Sequence, residues 1–397
     1  MTSRLTPGVV IGVLGTLLFG CGDDSDGASA STSGAGGAAP GKTLEICETR
    51  PDHKPTAIYG SDRTMLAMMD DGTLYCWREN GTGQCDAETF GQLFSYPIRV
   101  PNLPCVVKAA AGNVGIAMTA DGRALTWGIE LWEERGDGMD AVSVPNEPSE
   151  LPVRDVTDVS ARGSAMGLLQ GDQAHWWGLI DELSALPKSI GTGKSRAIEA
   201  DPATSCLLGE DAIVSCWGRS TAGILGPGRV TSPEPALSLL TAPAESLSVA
   251  RQTACAVLDD DEIWCWGSNF TGELGRGEPD ELALLDDPIP AQIDAPGPFE
   301  GVVVADGTVC AWRPTGEVLC WGHNYIGLYA PIDGTPQTVP RRVPELEPAK
   351  QVAVVYDEVC ALGLDDVVRC RVHEPKPSNQ QPARLLDFIN PPPQPEP

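Results

Sequence analysis

The chain has 397 residues and a formal net charge of -28, from 27 basic against 55 acidic side chains. A surface this acidic repels polyphosphate and anionic head groups, which sets aside nucleic acid and an electrostatic hold on membranes. Length alone allows two or three average domains. The 44 glycines and 35 prolines favour many short strands and turns over helices.

The chain opens on a targeting segment, residues 1–20. Arg4 supplies a positive start, and Val9 to Leu18 is an apolar run of export-signal length. Leu18-Phe19-Gly20-Cys21 resembles a bacterial lipobox, which implies that Cys21 is acylated and becomes the N-terminus. Residues 21–42 are mostly Gly, Ala, Ser, Asp and Thr, and read as a flexible tether. No other stretch reaches the roughly 18 apolar residues of a membrane-crossing helix. Membrane contact is therefore expected through the lipid only, at the cell envelope of an exported protein.

Residues 43–389 are repetitive. The clearest unit, residues 255–277, reads CAVLDDDEIWCWGSNFTGELGRG. Two apolar runs flank an acidic turn at Asp259 to Asp261, the pattern of a β-hairpin. Cys255 and Cys265 are equidistant from that turn and should face each other across two antiparallel strands. Trp266 follows and should point to the other face of the sheet. Cys206 and Cys216 precede Trp217 in the same frame, Cys310 and Cys320 precede Trp321, and Cys360 and Cys370 precede Arg371. Three earlier copies lack the cysteine pair: Leu66 and Cys76 before Trp77, Ile116 and Thr126 before Trp127, and Met166 and Trp176 before Trp177. By subtraction, successive anchors are 50, 50, 40, 49, 55 and 50 residues apart. A period near fifty with strand-like patterning inside each unit means a propeller or similar array.

Each unit is expected to hold four strands. In the fifth these are 246–250, the two hairpin strands, and a last one near 289–293. Prolines recur at the fourth position, as in Tyr96-Pro97-Ile98 and Val339-Pro340-Arg341, which fits an outer edge where a missing N–H matters little. Gly72, Gly122 and Gly316 supply the positive φ that a bulged hairpin turn requires. Arg313 and Glu317 flank the last of these turns and are placed to pair across the strands.

Thirteen cysteines fit an oxidising compartment. With Cys21 assigned to lipid, the four C-x9-C pairs read as disulfides within one hairpin: Cys206 to Cys216, Cys255 to Cys265, Cys310 to Cys320 and Cys360 to Cys370. Each closes a short loop worth roughly 2–3 kcal/mol. A zinc site would need closer ligand spacing. Cys47, Cys76, Cys85 and Cys105 remain, with three pairings open.

The units resemble those of the regulator of chromosome condensation family. That pattern runs through Cys255-Ala256-Val257, Cys265-Trp266-Gly267 and Gly272-Glu273-Leu274-Gly275, with Cys360-Ala361-Leu362 matching its first part. The resemblance covers about residues 43–389 and weakens in units two and three. It implies an all-β, seven-bladed β-propeller. It also implies activities ranging from guanine nucleotide exchange to secreted inhibitors and adhesive binding. An exported, acidic chain would meet neither chromatin nor a cytosolic GTPase.

No catalytic constellation is present in the sequence, and the chain is expected not to be an enzyme and to use no cofactor or metal. Gly191-Thr192-Gly193-Lys194-Ser195 lacks the first glycine of a phosphate loop, since Lys188 stands there. His53, His175, His323 and His373 are scattered, and the acids at 259–262 lack the spacing of a calcium loop. The expectation is a lipid-anchored propeller that binds or scaffolds a protein. An inhibitor of a secreted or periplasmic enzyme and an exchange factor are the alternatives. The binding rim is expected in units two and three, at 131–135 and 179–186, with Trp132 as an aromatic outside the anchor frame. Residues 44–47 and 384–388 read as lone strands whose meeting would close the ring. The Pro-rich tail 390–397 should be dispensable.

Overall fold

The computed structural model describes residues 45–388 except 90, 129–133, 136–138, 141–146, 178–187, 192, 278–285, 306, 325–327, 329–334, 357 and 373–382. The described residues lie in one compact unit, Leu44–Pro397. The signal segment, Cys21, the tether and the tail fall outside them. The described residues form seven four-stranded antiparallel sheets, the blades of a β-propeller. The blades run 55–99, 108–150, 156–191, 195–237, 244–292, 301–342 and 349–386. Among the described residues, helix is confined to the short turns Ala87–Thr89 and Pro344–Leu346. No described helix is long and apolar enough to cross a membrane.

Each blade pairs its four strands in chain order, blade 2 with a separate two-stranded ribbon between its third and fourth strands. Blade 5 consists of Ala244–Ala250, Thr253–Leu258, Ile263–Gly267 and Asp287–Gln292. Cys255 faces Cys265, and Ala254 faces Trp266. The cysteines at 206/216, 255/265, 310/320 and 360/370 are disulfide-bonded within their hairpins. Of the three pairings open for the other four, the structure has Cys47–Cys105 and Cys76–Cys85. Leu66 occupies the position opposite Cys76, so that thiol turns to the loop beyond its own strand.

Blade 3 departs from the expected register. Met166 faces Trp177 rather than Trp176, which lies opposite Gly167. The cause is the turn. Gln170 pairs directly with Gln173, leaving a two-residue connection at Gly171-Asp172. In blade 1 the matching turn is a residue longer, closed by Met69 N–H donating to the Thr73 carbonyl at 2.9 Å. A shift of one residue exchanges the faces of a strand. Trp176 therefore becomes the buried tryptophan of this blade, and Trp177 is half-buried. Two further expectations change. Residues 45–47 are not a strand, and Cys47 is instead fixed by its disulfide and by its N–H to the Leu103 carbonyl. In blade 2, where a loop was expected, Glu134–Arg135 pairs with Met139–Asp140.

The core lies between blades. Trp77, Trp127, Trp217, Trp266 and Trp321 are fully buried. Three of them donate their indole N–H to a loop carbonyl of the preceding blade: Trp127 to Gln84 at 2.7 Å, Trp266 to Ile224 at 3.2 Å and Trp321 to Glu273 at 2.8 Å. The next residue is Gly128, Gly218, Gly267 or Gly322, all at positive φ. A Cβ on Gly267 would stand 2.1 Å from the Gln252 carbonyl oxygen, so only glycine fits there.

The junction of blades 7 and 1 is built differently. Trp77 donates to a side chain, Glu358 Oε2, at 3.2 Å. Arg78 occupies the glycine position at φ 78, with its guanidinium 3.4 Å from Glu358. Arg384, in the last strand Arg384–Leu386, donates to Glu358 Oε1 at 2.7 Å. Glu358 is 0% exposed. Nearer the ring axis, the Gln351 amide bonds both the N–H and the carbonyl of Ile58. Phe388 packs edge-on against Tyr75 and Trp77.

Trp217 makes no such bond. Its indole N–H is buried without a partner, as is that of Trp176 beside it. Trp266→Phe should therefore destabilise more than Trp217→Phe, by about 1 kcal/mol, because it strands the Ile224 carbonyl. Urea unfolding of both variants tests this. Equal losses would show that the indole bond contributes nothing.

Candidate functional site

Antiparallel strands alternate in direction, so the turns between first and second strands share one face with the third-to-fourth connections. On that face neighbouring turns are bonded to each other. Tyr356 N–H donates to the Asp62 carbonyl at 2.8 Å, Asn113 N–H to that of Gly163 at 2.6 Å, and Arg251 N–H to Asp201 Oδ2 at 2.9 Å. These links hold blade pairs 7/1, 2/3 and 4/5 in a rigid rim.

Two depressions flank the rim. One, of about 470 Å³, is lined by Asp62, Arg63, Glu79, Thr82, Asn113 and Tyr356. The Arg63 guanidinium lies 5.4 Å from the centre of the Tyr356 ring. The other, of about 340 Å³, is lined by Thr221, Gln252, Phe270, Asp286 and His323. Arg251 borders both. Gln252 Oε1 accepts from Thr221 N–H, Thr221 Oγ1 and Ala222 N–H, which fixes one wall. Burial holds the His323 imidazole below its usual pKa and so favours its neutral form.

Phe270 stands out on this face. It is 73% exposed, yet its loop is tightly held. The Glu273 carboxylate accepts from Thr271 N–H at 2.6 Å, from Thr271 Oγ1 at 2.8 Å and from Ser268 Oγ at 3.2 Å. Asn269 Oδ1 accepts Leu274 N–H at 3.0 Å. Blade 1 repeats the motif with Asn80 Oδ1 accepting Cys85 N–H, and blade 4 with Ser220 Oγ accepting Ile224 N–H. At the Phe270 position those blades carry Gly81 and Thr221. The loop does not need an aromatic there. In blade 6 the matching residue is Tyr325, outside the described residues.

The ring encloses a lumen lined by the first strands. Those strands are edges, and their backbone groups need partners. Polar side chains of one blade supply them to the next. Asp158 accepts Ile198 N–H, Ser160 accepts Ala200 N–H, and Ser248 accepts Val304 N–H. Lys108 pairs with Asp158. Burial pushes the Glu199 carboxyl up to about 7, against the pull of Lys108 and Arg162 and helped by Asp158 and Asp201.

Of the residues singled out in sequence, the eight paired cysteines lie buried inside blades. Cys21, Trp132 and residues 179–186 are outside the described residues. The acids at 259–262 form the opposite-face turn of blade 5. Arg313 and Glu317 pair at 3.2 Å as expected. Residues 188–191 and 195–199, around the phosphate-loop look-alike, are strands. Among the described residues, the one cluster with metal-ligand spacing is Glu358, Cys360 and Cys370, and its two sulfurs are joined in a disulfide. Sequence reading missed Phe270, though comparing the loops at 80–85, 220–225 and 269–274 would have shown it.

No protein-family model matches the chain. Among solved structures, a chain in the structure of Kap60 bound to yeast RCC1 (Prp20) aligns with TM-score 0.65 and 17% identity, covering 75% of this chain and 78% of that one. Prp20p from Saccharomyces cerevisiae, described with its binding to Gsp1p and histones, gives 0.64 and 17%, covering 75% and 79%. Human WBSCR16 gives 0.65 and 13%, covering 82% and 95%. At these identities the likeness establishes the fold, an RCC1-like seven-bladed propeller.

Glu199 has a folded pKa above its unfolded value. Its contribution is therefore full below about pH 4.5 and is lost as pH rises through about 7. Glu199→Gln should leave the thermal midpoint little changed at pH 5 and raise it at pH 8. A variant that tracks the wild type at both pH values would contradict a buried, shifted carboxyl.

Proposed function

We propose that this protein is a protein-binding propeller whose partner docks on the face carrying Phe270. The observation behind this is the exposed aromatic on a loop whose backbone is already fixed by Glu273 and Asn269. An aromatic presented without further ordering entropy is a common binding hot spot, and arginine nearby is another. Arg251 borders the depression beside Phe270 and, with Arg63, the other one, against a chain that is acidic overall. The RCC1 likeness supports the reading only as fold.

The setting belongs to the same proposal. Six disulfides favour an oxidising compartment. The lipobox-like Leu18 to Cys21 and the polar tether support a propeller held at the cell envelope on an acyl anchor. Trp132, the aromatic that stands outside the anchor frame in sequence, belongs to the same proposal as a second contact residue. No part of the reading calls for an enzyme.

A soluble form lacking residues 1–41, cross-linked to envelope extract, is expected to capture a partner. Phe270→Ala should lower that capture about tenfold or more with the thermal midpoint unchanged, whereas Leu237→Ala on the outer edge should not. Equal capture by both variants would overturn the assignment of this face. Mass spectrometry of the native protein is expected to find a diacyl or triacyl Cys21 at the N-terminus, and an unmodified Cys21 would remove the anchor.

A further inference from the structure

The lumen has a volume of about 210 Å³ and is bordered by all seven blades. Although it lies inside the ring, the Lys108 side chain keeps 35% of its surface accessible there, so the space admits solvent-sized groups. One end is crossed by Arg162, which reaches from blade 3 to the Val304 carbonyl of blade 6 at 3.2 Å. Arg162 is 7% exposed and has no carboxylate at ion-pair distance among the described residues. Level with it, Ser61 is 5% exposed and its hydroxyl has no partner.

The inventory of donors and acceptors is one-sided. Both Asp158 oxygens are used, by Lys108 and by Ile198 N–H. Ser160 and Ser248 accept backbone N–H groups and retain their own hydroxyl hydrogens to donate. Burial raises the Tyr59 phenol, which stays a donor. Arg162 has further N–H groups and Lys108 has two. Against these, the one uncommitted acidic acceptor among the described lining residues is Glu199.

We propose that the lumen binds a small carboxylate anion, with the Arg162 guanidinium as its charge partner and the hydroxyls of Ser61, Tyr59, Ser160 and Ser248 as its donors. A carboxylate offers about four lone-pair directions on two oxygens and matches the fork of a guanidinium. It supplies what a buried arginine otherwise lacks. The site is separate from the Phe270 face and does not depend on that reading.

Glu199 acts as the internal rival of the ligand. Ionised, it competes for Arg162; protonated, it leaves Arg162 without an ionised rival in the lumen lining and adds a donor. The charged groups facing it are Lys108, Arg162, Asp158 and Asp201. Binding should therefore weaken as pH rises through about 7.

Calorimetric titration of the full chain with acetate tests the site, with acetamide as the neutral control. The expected result is saturable one-to-one binding of acetate at pH 6, about tenfold weaker at pH 8, and no binding of acetamide. Glu199→Gln should bind acetate at pH 8 as the wild type does at pH 6. Ser61→Ala, a mild change, should weaken acetate several-fold with an unchanged near-UV spectrum, and Arg162→Gln should abolish it. Absence of saturable acetate binding at pH 6, equal binding of acetamide, or a pH dependence that survives in Glu199→Gln would each overturn the proposal.

Discussion

Everything in this ring depends on how its two ends are joined. Each blade draws all four of its strands from one stretch of chain, so no strand is shared across the junction of blades 7 and 1. Side chains must close what the backbone does not. Glu358 receives the indole of Trp77 and the guanidinium of Arg384, with Arg78 alongside. A buried carboxylate is tolerable only when its partners remain, and removing one side of such a pair destabilises by about 3–5 kcal/mol. The Gln351 amide, the Tyr356 to Asp62 bond and Phe388 repeat the closure at other levels.

A closed ring gives the loops a fixed platform. Cross-strand disulfides hold the hairpins of blades 4 to 7, and buried tryptophans join most neighbouring blades. With that stiffness supplied by the interior, the connections on one face are under little architectural constraint. An exposed Phe270 on a fully bonded loop reads as an outcome of that freedom. The lumen follows a different logic. Its polar residues, Arg162 among them, satisfy the inner edge strands, and the further N–H groups of Arg162 and the Glu199 carboxyl are what remains after that need is met.

Much of this was legible in the sequence because hairpin geometry is local. Equal spacing about a turn paired Cys255 with Cys265, and the fifty-residue period exposed the repeat. The reading slipped in blade 3, where a turn one residue shorter moved Trp176 into the core in place of Trp177. It left Cys76 open because the partner, Cys85, lies in a loop with no strand frame. The closing cluster was illegible for a physical reason: Trp77 and Glu358 are 281 positions apart. Arg78 did carry a signal, since it interrupts the run of Trp-Gly anchors. The lumen charges, Lys108, Asp158, Arg162 and Glu199, sit on strands that look ordinary until seven of them meet around one axis.

Amide hydrogen exchange on Glu358→Ala, compared with the wild type, tests the closure most directly. The account predicts that protection falls first and most in the strands Pro55–Ser61 and Ala349–Val355, on either side of the junction, while the hairpins of blades 4 and 5 keep theirs. Uniform loss across all seven blades, or no loss beside the junction, would contradict it.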